Sequence, residues 1–432
     1  MDKLNTIYAF IKEFYIAKFL PLKSRRQLEA RQQQLWQDLK RSALCQSEFY
    51  LPFINKPHSE WPVINKAEHM AAFNKVNTAG LDRATVLQVA EQSELSRDFS
   101  SQLGDYSVGL SSGTSGNRGV FVASKKERVI WAANIVAKVL PIGFAKRRIA
   151  FFLRANNKLY ETVNSPIIKF EFFDLLIDIE EHIKQLNDYQ PNILIAPASV
   201  LSILADAMGD KLMIKPIKVI SVAEVLINED KQKIERKFNQ IVHQVYQCTE
   251  GFLAATCQYG NLHLNEDSVL FEKQWIDKDL GIFSPIVTDL KRYTQPIIRY
   301  HLDDVLVENL NKCPCGQHTT RIEKILGRCD DVLYFKKRGT NHNKPMFPDF
   351  ITRAVAQSKK EITDFQVQQK KQDLLTVLLP ISQRALYPAV VESLTEVFNK
   401  QNFVVPNMEY RPLKNRSLHI KNRRVQRIWD YG

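Results

Sequence analysis

Leu110-Ser111-Ser112-Gly113-Thr114-Ser115-Gly116-Asn117-Arg118-Gly119 runs straight into the apolar Val120-Phe121-Val122. From Ser111 to Gly119, three glycines and four hydroxyls fall within nine residues, too small and polar a set to bury a face. Glycines let the backbone turn and expose its N–H groups, Ser and Thr hydroxyls add short donors, and Arg118 adds charge. Together they suit phosphate oxygens. This is not a Walker A loop, because no Gly-Lys-Ser/Thr follows four spacer residues. A polar hairpin would have the same composition, since Gly and Ser clusters also mark ordinary loops.

The sequence differs on the two sides of this loop. Residues 1–100 read as mostly helical, with charged faces. Beyond 105, short apolar runs at Arg148 to Leu153, Asn192 to Ala196, Ile217 to Val222 and Ile241 to Tyr246 alternate with helix-like stretches such as Ser199 to Met208 and Asn228 to Phe238. That alternation predicts an α/β domain of mostly parallel sheets flanked by helices, with ligands beyond the carboxyl ends of the strands. After residue 328 the pattern becomes that of a small α+β domain. Phe365-Gln366-Val367 and Leu374 to Leu379 predict a hairpin, Pro388 to Lys400 a helix with one apolar face, and Met408-Glu409-Tyr410 a further strand. The expected division is 1–327 and 328–432.

Composition and charge narrow the function. The chain has 432 residues, 44% apolar and 25% charged, which excludes collagen-like, low-complexity and wholly disordered classes. Lys and Arg number 60 against 47 Asp and Glu, a net charge of +13, which calls for a polyanionic partner. From Arg328 onward there are 19 basic and 10 acidic residues, so nine of the thirteen excess charges sit in the last quarter. A solvated basic tail is one reading of that run, and phosphate handling is another. No secretory signal and no uninterrupted apolar span are evident, and a transmembrane helix is not expected. The aromatic-rich stretch Ile7 to Leu20 predicts an amphipathic helix packed against the protein's own body or lying on a membrane surface.

Six cysteines in such a chain point to a cytoplasmic compartment with reduced thiols. Cys257, His263, Cys313 and Cys315 offer three thiolates and an imidazole, a structural zinc set by ligand type. Four reduced, partly buried side chains are the alternative.

Five motifs in order resemble those of the adenylate-forming superfamily, which includes acyl–coenzyme A synthetases and peptide-synthetase adenylation domains. The 110–119 loop resembles its phosphate loop. Tyr246-Gln247-Cys248-Thr249-Glu250 is similar to its Tyr-Gly-x-Thr-Glu motif, and Pro296 to Asp304 to the segment ending in its ribose-binding Asp. Gly327-Arg328-Cys329-Asp330-Asp331 looks like its hinge, and Ile420 to Val425 like the segment holding its adenylation lysine. The run Cys313-Pro314-Cys315-Gly316 is similar to the branch containing phenylacetate–coenzyme A ligase and the deazaflavin-adenylating synthetase.

The resemblance implies an ATP-dependent ligase with a large N-terminal body and a small mobile lid. A carboxylate attacks the α-phosphate of ATP, releasing pyrophosphate, and a thiol of coenzyme A or of a carrier protein then takes the acyl group. Catalysis of such a meeting of anions rests on positioning and electrostatics. Ser111, Ser112, Gly113, Thr114, Ser115, Gly116 and Arg118 would hold the leaving phosphates. Glu250 would be the magnesium ligand, a hard carboxylate for a hard ion. Thr249 would meet the α-phosphate, Tyr246 the adenine, Asp304 the ribose, and Arg328 the ribose or a phosphate. Lys421 would bridge the two reactants. Arg154, Tyr160, Phe170, Phe172, Phe173 and Ala223-Glu224 are expected near the acyl group, Glu224 also beside the nucleotide; an aryl or other hydrophobic acid would suit them, while core packing explains the Phe residues equally well.

Three positions depart from the family's pattern. Asn117-Arg118-Gly119 stands for Pro-Lys-Gly, Asp303 for the Gly before the ribose Asp, and Ile420 for the Gly before the lysine. Two other readings follow from these facts. One is a non-catalytic nucleotide-binding relative. The other is a nucleic-acid-binding protein with a zinc module, which would explain the charge and the Cys/His set but not the ordered motifs.

Overall fold

A computed structural model describes residues 3–19, 24–96, 102–111, 119–141, 143, 145–153, 160, 162–328, 331–340, 342–359, 361–362, 364–413 and 423–429. These fall into two compact units, one of 1–226, 230–302 and 308–324, the other of 227–229, 303–307 and 325–432.

The first unit is a mixed α/β body. Its sheet carries the strands Ile168–Asp174, Arg147–Leu153, Ile193–Pro197, Lys218–Val222 and Val242–Cys248 side by side and parallel. From there pairing turns antiparallel, through Gly251–Thr256 and Leu262–Leu264 to the start of Arg321–Arg328. The hairpin Val269–Asp277 and Ile282–Asp289 is antiparallel as well. The sheet is therefore parallel in one part and antiparallel in the other, where the sequence predicts mostly parallel pairing. Val242–Cys248 and Gly251–Thr256, and the two strands of the hairpin, follow one another through turns too short for a crossover helix.

Adjacent residues of a strand face opposite ways. Phe152 stacks on Phe173 at 4.8 Å in a core closed by the helices Ile179–Tyr189, Ala198–Ala207 and Asn228–Phe238. Phe151 points to the other face, where it packs with Phe170 and Trp131 of the helix Lys125–Val139. That helix starts on a capping box. Ser124 accepts from the Glu127 amide, and the Glu127 carboxylate receives the Ser124 amide at 2.7 Å. The same buried carboxylate accepts from the amides of Tyr293 and Thr294, so one charge fixes both the helix start and a distant loop.

The loop at 111–119 joins two strands of a separate three-stranded sheet, Gln102–Leu103, Tyr106–Leu110 and Val120–Ala123. Gln295 pins its last strand, accepting from the Val122 amide at 2.8 Å and donating to the Val120 carbonyl at 3.1 Å.

The second unit is α+β. A four-stranded sheet runs Asn407–Pro412, Leu374–Leu379, Gln366–Lys371, Val425–Arg427, with the helices Pro348–Ser358 and Tyr387–Lys400 closing one core around Phe335, Phe398 and Val377. Gln369 is fully buried and ties the Tyr334 amide and carbonyl to this sheet.

Candidate active site

The carboxyl ends of the parallel strands in the first unit gather polar groups where the sequence predicts them. Thr249 and Glu250 follow the strand Val242–Cys248, and Ala223 and Glu224 follow Lys218–Val222. Ser199 lies in the first turn of the helix Ala198–Ala207 that follows Ile193–Pro197, and its amide donates to Glu224 Oε2 at 2.9 Å, joining two neighbouring strand ends. Ala223 is held at φ 64, left-handed backbone that a non-glycine residue adopts at a cost, so the strand is turned sharply at this point.

Glu250 is the best-supported carboxylate of this edge. Its Oε2 accepts from Thr249 Oγ1 and its Oε1 from the Tyr300 hydroxyl, both at 2.9 Å. Burial pushes its carboxyl up, but hydrogen bonds from Cys248, Thr249 and Tyr300 outweigh it and hold the group below the usual carboxylate range. Glu250 is thus kept as the anion, the form a hard cation binds. The next residue, Gly251, leaves room for Asp289, whose Oδ2 would stand 2.9 Å from any Cβ added there.

A short helix, Lys66–Ala71, links this carboxylate to the Ser/Gly loop. Lys66 donates to Ser111 Oγ at 3.0 Å, and that oxygen also accepts the Gly119 amide at 2.8 Å. One turn on, buried His69 packs edge-on against the Tyr300 ring at 5.5 Å and contacts the Pro296 carbonyl at 3.1 Å. Spacing of three residues puts Lys66 and His69 on one helical face. Burial lowers the His69 imidazole, and the Pro296 carbonyl and Glu250 work the other way. The i, i+3 spacing of Lys66 and His69 is visible in the sequence, but nothing there says what they face. Tyr300 lies within the Pro296–Asp304 segment already singled out.

The remaining predicted residues divide three ways. Tyr246 is buried in its strand, at a register shift against Gly251–Thr256, and the next side chain, Gln247, accepts from Trp131 Nε1 at 3.1 Å. Tyr160 packs edge-on against Trp131 and Phe151, on the face that also holds Phe170. Phe173 is core on the opposite face and does not join that wall. Asp303, Asp304, Arg328 and Asp331 belong to the second unit. There Asp331 Oδ2 accepts the Arg328 amide at 3.0 Å, while Oδ1 binds the Arg423 guanidinium. Gly327, at φ 122, would bring a Cβ within 3.1 Å of Asp331. Ser112, Gly113, Thr114, Ser115, Gly116, Arg118, Arg154, Asp330 and Lys421 lie outside the described residues.

Cys257, His263, Cys313 and Cys315 converge in the first unit, with one ligand atom each within 4.8 Å of all the others. Cys257 Sγ and Cys313 Sγ are 3.8 Å apart, and Cys315 Sγ and His263 Nε2 are 3.4 Å apart. A tetrahedral ion with Zn–S of about 2.3 Å and Zn–N of about 2.0 Å spans edges of roughly 3.8 and 3.5 Å. The donor set and spacing therefore fit zinc. His263 Nδ1 faces the Thr319 carbonyl at 3.4 Å, the contact that leaves Nε2 to a metal.

Comparison with known proteins agrees with the fold. No family model matches the chain. Protein CapK of Staphylococcus aureus is 28% identical over 245 residues, 54% of this chain, so the match spans about half (52%) of that relative's length. Among solved structures, a 2-hydroxyisobutyryl-CoA ligase in its post-adenylation state superposes with a TM-score of 0.65 at 16% identity, covering 96% of this chain and 92% of that one. An acyl acid amido synthetase gives 0.55 at 13% identity, with 95% of both chains covered. ATP-bound MatB from Rhodopseudomonas palustris gives 0.52 at 14% identity over 70% of this chain and 63% of that one. The chain shares its fold with these ligases and synthetases.

Proposed function

We propose that the protein is an ATP-dependent ligase that adenylates a carboxylic acid and passes the acyl group to a thiol. The observation that carries this reading is the linked set Ser111–Lys66–His69–Tyr300–Glu250–Thr249. It joins the start of a Ser/Gly loop to an ionised carboxylate at the carboxyl edge of a parallel sheet.

In this reading Glu250 holds magnesium, which supplies charge neutralisation at the phosphates. Thr249 hydrogen-bonds the α-phosphate, and Ser111 with the rest of its loop holds the leaving pyrophosphate. Lys66 adds a positive charge at the first residue of that loop. Tyr246 and Glu224 border the nucleotide. Asp304, Arg328 and Lys421 of the second unit keep the roles the resemblance implies, toward ribose, phosphate and the reacting carboxylate. Trp131, Gln247 and Tyr160 suit an aryl or other hydrophobic acid with one polar group. Coenzyme A or a carrier-protein thiol is the acceptor. Zinc at Cys257, His263, Cys313 and Cys315 is structural, since all four positions are protein ligands and none is left open. Reduced cysteines at that site suit a cytoplasmic protein.

Hydroxylamine trapping over a panel of aryl and fatty acids tests the activity. Lys421→Ala is expected to abolish adenylate formation while thiolysis of a supplied acyl-adenylate survives. Equal loss of both half-reactions would overturn the role given to Lys421. ATP binding without trapping of any acid would overturn the activity itself.

A further inference from the structure

The helix Lys3–Phe19 has two unlike faces. One packs on the helix Lys125–Val139, where Lys18 Nζ donates to the Ala137 carbonyl at 2.8 Å. On the same helix Glu13 pairs with Lys291 at 3.3 Å, both side chains 14% exposed. The other face carries Leu4, Ile7, Tyr8, Ile11, Tyr15 and Phe19, each between 50% and 79% exposed. Their spacing of three and four residues makes one stripe along a helix about 25 Å long. Scattered apolar residues on a surface mean little, but a continuous stripe of six marks a contact.

The charge beside the stripe is of one sign. Lys12 is exposed along it. Glu13, the helix's one acid, is engaged with Lys291. At the far end Lys18 acts on Lys218, which opens the strand Lys218–Val222. Burial and Lys18 together bring that ammonium down to about 8. Burial and the charges of Lys218 and Lys231 bring His243 down to about 4. Exposed Ile217 and Ile241 precede the neighbouring strands at this same end. This is the amino end of the parallel strands, opposite to the edge carrying Thr249 and Glu250.

We propose that this stripe and its basic margin dock the protein on an anionic lipid bilayer, with the helix lying in the interface. Apolar and aromatic side chains on one face beside exposed lysine are the composition of an interfacial helix. Tyr8 and Tyr15 present rings with polar tips, which suit the headgroup level. A second copy of this chain stacked on the same stripe would bring Lys12 against like charge. An anionic surface meets exposed Lys12 with opposite charge instead.

Vesicle flotation of the full chain tests this. The wild-type protein is expected to float with phosphatidylcholine vesicles containing about a third phosphatidylglycerol, and to remain unbound with phosphatidylcholine alone. Ile7→Ser with Ile11→Ser should cut the bound fraction by about tenfold or more, and Lys12→Glu by about severalfold. Both variants change exposed side chains and should keep the wild-type melting temperature. A Tyr8→Trp variant should be quenched by brominated lipid in the anionic vesicles. Three results would overturn the proposal: no flotation, flotation indifferent to the stripe, or a dimer in sedimentation that Ile7→Ser with Ile11→Ser dissociates.

Discussion

The Tyr300 hydroxyl donates to Glu250 Oε1 at 2.9 Å, reaching from one conspicuous segment of the sequence to another fifty residues away. The contact is one of several that hold the carboxylate ionised. Burial alone would favour the neutral acid, and donated hydrogen bonds from Cys248, Thr249 and Tyr300 reverse that preference.

Tyr300→Phe removes one of those donors without emptying the ring's packing against His69. Hydrogen bonds to charged groups contribute about 1.5–3 kcal/mol, so a loss of about 1–2 kcal/mol at neutral pH is expected after relaxation. The sign with pH follows from the direction of the shift. A carboxyl held below its ordinary range stabilises the fold above that range and loses the contribution as pH falls through its folded value. The gap between wild type and Tyr300→Phe should therefore narrow on acidification. Urea unfolding across pH measures it, and a constant gap would mean that the hydroxyl acts by packing alone. In the proposed reaction the variant should also need more magnesium for pyrophosphate exchange.

Asp289 behaves in the opposite way. Burial raises its carboxyl to about 6, with Arg292 and the Lys291 amide opposing. A carboxyl raised above its unfolded value carries no penalty below that value, and the penalty is complete once pH has risen through about 6. Asp289→Asn keeps an acceptor for the Lys291 amide and removes the buried charge. It should stabilise the protein by about 1–3 kcal/mol in mildly alkaline buffer, with the gain shrinking as pH falls below 6. Thermal unfolding at several pH values reads this directly. Because Asp289 fills the space beside Gly251, the same variant reports whether a charge under Glu250 affects the site.

How much of this was legible in sequence depends on the range of the interaction. Strands such as Ile193–Pro197 and helices such as Tyr387–Lys400 announce themselves by local pattern, and so did the α/β class. The strand Ile168–Asp174 did not, because Phe170, Phe172 and Phe173 divide between two sheet faces and mix with Lys169 and Glu171. Thr249-Glu250 stood out by motif. Lys66 and His69 did not, since their significance comes from Ser111 and Tyr300, residues distant in sequence that only the fold brings near. Arg299 shows the converse. It lies in the conspicuous Pro296–Asp304 segment, yet its guanidinium is spent on Glu272 and the carbonyls of Ser59 and Trp61.

The Cys/His cluster predicts about one zinc per chain, measurable by elemental analysis of protein purified without added metal. Cys257→Ser and Cys313→Ser should each lose most of the metal. They should also lower the melting temperature, because ligand binding free energy at a structural site is folding free energy. The hairpin carrying His263 and the loop carrying Cys313 and Cys315 are the segments expected to gain hydrogen exchange. Metal content well below half an equivalent, with unchanged stability in both variants, would leave four reduced side chains as the correct description.

Asp331 joins two segments of the second unit. It takes the Arg328 amide on one oxygen and the Arg423 guanidinium on the other, and both side chains are largely buried, at 10% and 18% exposure. Arg423 stands two residues after Lys421, so this pair anchors the chain next to the proposed adenylation lysine. Removing either partner leaves the other's charge uncompensated, which costs about 3–5 kcal/mol where burial is complete and less here. A double-mutant cycle of Asp331→Ala and Arg423→Ala should give a coupling energy of about 1–3 kcal/mol in unfolding of this unit. Each single variant should slow adenylate formation more than thiolysis, because in the proposed reaction only the first half-reaction uses Lys421. Arg423→Lys keeps the charge but loses the two-pronged contact, and it should recover only part of the rate. Additive stabilities in the cycle, or equal slowing of both half-reactions, would remove this pair from the positioning of Lys421.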